Sequence, residues 1–204
     1  GYTDKKNVDG TKPVTTISLS GTAGDNGWYR SNVTVNLSAS DATSGVNWIK
    51  YKIGFFGEKM TYSDPFTISD EGETTVYYWA KDIAGNEEWP NSINIKIDKT
   101  GPEVPVMVEM PKYTRGNSNT ASWSSVFDPT SDNVRYFVQC DDNSDFSSPY
   151  AQSGWITGIS YTFTNLKDGT KYWYRVKAKD GAGNESGKIT LTPFLAGVLP
   201  KGRG

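Results

Sequence analysis

The chain has 204 residues, with 21 basic and 23 acidic side chains, one cysteine and no histidine. The charge is spread as 10 basic against 13 acidic residues through Thr100 and 11 against 10 after it, which offers no basic field and excludes nucleic acid as a partner. Without histidine, Ser-His-Asp, Cys-His and most zinc chemistry are excluded, and Cys140 alone forms no intramolecular disulfide.

No apolar run approaches the roughly 20 residues that span a bilayer, so no membrane insertion is expected. The start, Gly1-Tyr2-Thr3-Asp4-Lys5-Lys6, lacks the apolar stretch of a signal peptide. Residues 1–10 read as an N-terminal linker in a segment cut from a larger chain.

From residue 11 the apolar residues alternate. Ile17 and Leu19, then Val33, Val35, Leu37 and Ala39, then Ile49, Tyr51 and Ile53, then Val76, Tyr78 and Ala80, then Ile93, Ile95 and Ile97 each share a parity. Period two means half-buried strands, and Gly- and Asn-rich clusters such as Gly24-Asp25-Asn26-Gly27 and Asp41-Ala42-Thr43-Ser44-Gly45 separate them. No stretch sustains helical spacing, so the fold class is all-β.

At Ala80 the chain begins a phrase that it repeats. Ala80-Lys81-Asp82-Ile83-Ala84-Gly85-Asn86-Glu87 returns at Ala178-Lys179-Asp180-Gly181-Ala182-Gly183-Asn184-Glu185, and Asp9-Gly10-Thr11-Lys12-Pro13 is echoed by Asp98-Lys99-Thr100-Gly101-Pro102. A repeat of about 100 residues has the size of one immunoglobulin-like sandwich. Two tandem sandwiches are therefore expected, at 11–99 and 102–193, with 194–204 as a C-terminal tail. The intervening segment is short and carries Pro102 and Pro105, so an end-to-end arrangement with restricted bending is the expectation.

The second half alternates in the same way through Ala121 and Trp123, Val134 to Cys140, Tyr161 and Phe163, and Tyr172 to Ala178, which points Cys140 inward. Trp123, Tyr136 and the run Leu166-Lys167-Asp168-Gly169-Thr170-Lys171-Tyr172 make this half resemble a fibronectin type III domain. That resemblance implies a tyrosine corner at Tyr172. The first half, through Gly27-Trp28-Tyr29, Asp41 to Val46 and Tyr78 to Asn86, resembles the bacterial immunoglobulin-like repeats of secreted and surface proteins. What this implies is a non-catalytic spacer or adhesive module, often attached to glycoside hydrolases. In the tail, Leu199-Pro200 only superficially resembles a sortase signal, because Gly202 stands where that motif needs threonine, so the tail reads as a linker.

Two constellations carry chemistry. Strand parity puts Trp48, Lys50 and Lys52 outward on one strand beside Tyr77, Trp79 and Lys81 on its neighbour. Exposed rings there either form a platform for a polysaccharide or a host matrix protein, through Trp48, Tyr77 and Trp79, or stack with lysines in a cation–π ladder. The other is the loop end of each sandwich, where Asp41, Asp82 and Asn86, and in the second module Asp128, Asp132, Asp180 and Asn184, bring oxygens together. These side chains either cap their own turns, with no cofactor, or ligate calcium.

The acidic pairs Glu87-Glu88 and Asp141-Asp142 invite a glycosidase reading, but adjacent carboxylates rarely face each other across a substrate, so no enzyme is expected. The sum is a monomeric spacer or accessory module of a secreted or cell-surface bacterial protein. Its partners are the neighbouring domains of the parent chain; the alternative is binding of polysaccharide or matrix protein on the aromatic face.

Overall fold

The computed structural model describes residues 8–111, 113–187, 189–190 and 194–196. They divide into two compact units, Gly1–Lys99 and Thr100–Gly204. Among them there is no helix, and so none long and apolar enough to cross a membrane.

In the first unit the strands are β1 (Val14–Ser20), β2 (Trp28–Tyr29), β3 (Val33–Ser40), β4 (Val46–Ile53), β5 (Met60–Thr61), β6 (Phe66–Ile68), β7 (Gly72–Asp82) and β8 (Asn91–Ile97). They form two sheets, ordered β1-β3-β6 and β2-β8-β7-β4-β5. The inward parity of β3, β7 and β8 supplies the core between them: Val33, Val35, Leu37, Val76, Tyr78, Ile95 and Ile97 are buried. Tyr51, whose parity aligns it with these inward residues, is only half-buried. Its ring instead stacks on Phe66, 4.0 Å between centroids, at the margin of the core. Asp9, assigned by sequence to a linker, belongs to this unit, since its carbonyl accepts a hydrogen bond from Asn86 Nδ2 at 3.2 Å.

The second unit comprises β9 (Tyr113–Thr114), β10 (Asn119–Ser122), β11 (Arg135–Asp141), β12 (Ala151–Ile156), β13 (Ser160–Phe163), β14 (Lys171–Lys179), β15 (Ile189–Thr190) and β16 (Phe194–Ala196). Here β10 pairs with β13, and the larger sheet runs β12-β11-β14-β16-β9 with β15 also on β14. Trp123, Tyr136, Val138, Cys140, Phe163, Tyr172, Tyr174 and Val176 are buried in the core between the sheets. Tyr172 Oη accepts from Lys167 N at 3.1 Å, which is the tyrosine corner that the residues 166–172 imply. Strand β16 pairs with β14 through Lys171↔Leu195 and Tyr172↔Phe194, so the sheet takes in residues beyond the boundary expected at 193. Leu199-Pro200 lies outside the described residues.

Burial pushes the Cys140 thiol up to about 12, with Asp141 and Asp142 adding to the shift. A thiol reacts as its thiolate, so a thiol-specific reagent at pH 8 should leave the native protein unlabelled and modify Cys140 only in denaturant. Stoichiometric labelling of the folded chain would show that β11 does not bury this residue.

Candidate functional site

The repeated phrase folds into the same turn twice. In the first unit Asp82 N donates to Asn86 O at 3.1 Å and Glu88 N to Ala80 O at 3.1 Å; in the second, Asp180 N donates to Asn184 O at 3.1 Å and Ser186 N to Ala178 O at 2.9 Å. Inside the turn Asp82 Oδ1 accepts from Gly85 N at 2.6 Å and Asn86 N at 2.7 Å, while its Oδ2 accepts from Asn86 Nδ2 at 2.7 Å. Asp180 takes the same bonds from Asn184 N and Nδ2, at 2.8 and 3.0 Å. Gly85 and Gly183 sit at φ 104° and 93°, a conformation that a side chain resists, which explains the invariant Gly-Asn of the phrase.

The one apolar difference between the copies also has a cause. Ile83 is exposed, whereas a Cβ at the matching Gly181 would lie 2.3 Å from the Asp132 carbonyl oxygen.

A second loop locks onto each turn. Asp41 Oδ1 gathers the amides of Thr43, Ser44 and Gly45, and Ser44 Oγ then accepts from Ala84 N at 3.3 Å. Asp128 Oδ1 gathers Thr130 N and Ser131 N, both at 2.9 Å, and Ser131 Oγ accepts from Ala182 N at 3.0 Å. The sequence placed Asp41 and Ser44 beside Asp82 and Asn86, and the structure brings them together. Asp132 does not join its group: its Oδ1 accepts from Asn133 N at 2.9 Å, on the exposed side of the loop, and Ser131 makes the contact instead.

The sequence missed Asp9. Each of Asp9, Asp41 and Asp82 offers an oxygen within 4.8 Å of the others, as do Asp128 and Asp180 in the second unit. Most of these oxygens are committed to amides, but Asp9 Oδ2 and Asp128 Oδ2 are buried without a hydrogen-bond partner. The echo Asp9-Gly10-Thr11 against Asp98-Lys99-Thr100 was the signal that pointed to Asp9.

The outward face of the larger first-unit sheet has the expected register, with Lys50 opposite Trp79 and Lys52 opposite Tyr77. A register shift between Val46 and Trp48 sets Trp48 opposite Lys81. The face is not an open platform. Trp79 is only 3% exposed, with the Lys59 ammonium 5.6 Å from its ring centroid and its Nε1 donating to Glu87 Oε1 at 2.9 Å. Lys50 lies 4.5 Å from the Trp48 centroid and Lys52 4.7 Å from that of Tyr77, so the rings are spaced by lysines in a cation–π ladder. Trp48, Tyr77 and Trp79 therefore share a face without forming a bare surface, and the covering groups come from segments that strand parity does not describe.

The second unit repeats the ladder. Phe137 packs against Trp155 at 5.4 Å, and Lys177 and Lys179 lie 5.1 and 4.8 Å from the Trp155 centroid. Trp155 stands on β12 opposite Phe137. The acidic pairs are structural too: Glu88 accepts from Ala80 N at 2.7 Å and from the Thr15 hydroxyl, and Asp141 is buried.

Two units, each built of two β-sheets and closed by turn-locking loops, define an immunoglobulin-like β-sandwich protein. Residues 109–192 match the family model of the fibronectin type III domain, so the second unit carries a domain of that family. Exoglucanase B of Cellulomonas fimi is 29% identical over 168 residues, which cover 76% of this chain and 15% of the relative. The chain thus spans a small part of the curated relative that it matches. Among solved structures, a segment of titin domains aligns over 91% of this chain and 66% of that chain at 14% identity with a TM-score of 0.52, a likeness of fold. Fibronectin(III)-like modules of Clostridium thermocellum CbhA align over 90% of this chain and 94% of that chain at 12% identity with a TM-score of 0.45.

Proposed function

We propose that the chain is a non-catalytic spacer or accessory segment of a secreted or cell-surface multidomain protein, whose first unit is a bacterial immunoglobulin-like repeat. The observation that carries this reading is the alignment of three-quarters of the chain with a stretch that makes up 15% of a bacterial exoglucanase. A segment that occupies so small a share of a large enzyme is suited to positioning the domains around it. The side chains support the same reading, because the clustered acids are spent on turn amides and the aromatic faces on lysines. A structural device of this kind does its work through geometry and needs no cofactor.

The test is an exchange in the parent protein. Deleting the segment should lower activity on an insoluble substrate, and an unrelated pair of sandwiches of equal length should restore it. If the unrelated pair restores nothing while the native segment does, a specific sequence is required and the spacer reading fails.

A further inference from the structure

Besides Phe55 and Phe56, one further large aromatic side chain among the described residues of the first unit is open to solvent, at the edge of the ladder. Trp89, on the connection between β7 and β8, is 83% exposed. Next to it a groove of about 400 Å³ runs to the buried ring of Trp79, a volume within the range of about 300–1,000 Å³ typical of ligand sites. Its walls carry Lys12, Lys52, Lys59, Glu87 and Glu88 as well as the two tryptophans.

The groove is held in shape by bonds that do not involve Trp89. Glu88 is fixed by Ala80 N and Thr15, and Glu87 by the Trp79 indole, so both carboxylates keep their places. The Lys12 ammonium stands 5.6 Å from the Trp89 centroid, and that of Lys59 the same distance from Trp79. The exposed indole, with the Lys12 ammonium near its ring, thus borders a groove that carries both fixed carboxylate acceptors and ammonium donors.

From this geometry we infer that the groove binds a neutral polysaccharide, with the C–H face of a pyranose ring stacked on Trp89. Sugar hydroxyls both donate and accept, so one ligand meets the carboxylates and the ammonium groups alike. An anionic chain meets two fixed carboxylates, and a cationic ligand meets lysines. An uncharged ligand avoids a like-charge contact in this groove, and a polyhydroxyl one also meets its donors and acceptors. This site goes beyond the spacer role, which stands whether or not the groove is filled.

Affinity electrophoresis of the 204-residue chain in gels containing hydroxyethylcellulose, xylan or polygalacturonate tests the inference. We expect retardation by at least one of the two neutral polymers, retained in high salt. Trp89→Ala should weaken it at least about tenfold, the loss typical of an anchoring aromatic. Because Trp89 is exposed, that variant should melt at the parent's temperature, and Lys12→Ala should lower retention without abolishing it. Absence of retardation in both neutral gels, retention only by polygalacturonate, or undiminished binding by Trp89→Ala would each overturn the assignment.

Discussion

Replacing Trp123 with alanine is expected to destabilise the second unit by about 3–5 kcal/mol, the range for removing a buried Trp or Phe. Trp123 is 1% exposed and packs against Tyr136, with centroids 5.7 Å apart, in the middle of the second core. For a unit of this size the loss corresponds to a fall in Tm on the order of 15–30 °C, a large share of one domain's margin. Trp123→Phe should cost much less than alanine. The indole Nε1 is buried without a hydrogen-bond partner, so the phenyl ring keeps most of the packing and removes an unsatisfied donor. Hydrogen exchange at the amides of β11 and β14 reads the effect directly, and unchanged protection there in the alanine variant would mean that Trp123 is not central to this core.

Asp82→Ala is expected to cost about 3 kcal/mol, because hydrogen bonds to a charged acceptor contribute about 1.5–3 kcal/mol each and their losses do not add. The carboxylate is fully buried and holds Gly85 N, Asn86 N and Asn86 Nδ2, and the cavity left by alanine gives these donors nothing to bond. Asp180→Ala should act alike on the second unit through Asn184. Asp82→Asn keeps one acceptor oxygen and is expected to fall between alanine and the parent. Urea titration of the variants decides the matter; midpoints that stay within error of the parent would mean that the repeated phrase is not held by its aspartate.

The repeat and the alternation of apolar residues were enough to specify two all-β units, because period two leaves a strand only one face to bury. Trp123, Tyr136 and Tyr172 were legible for the same reason, as was the tyrosine corner, whose partner Lys167 lies five residues upstream. The aspartate turns were legible as well, since Asp82 and Asp180 bond to amides within four residues.

Contacts that neither strand parity nor the shared loop end of a sandwich places were not legible. Parity put Trp79 on the outer face, yet Lys59 and Glu87 cover it there, from a loop and a hairpin that alternation does not describe. Trp89 and Lys12 lie 77 residues apart and meet across one groove, and Asp9 joins Asp41 and Asp82 in the same way. By itself the sequence determined which strands form and which way they face, since those are local consequences of backbone geometry. Only the tertiary structure decided which outward rings are covered and which stay open, because that depends on where connecting segments far along the chain come to rest.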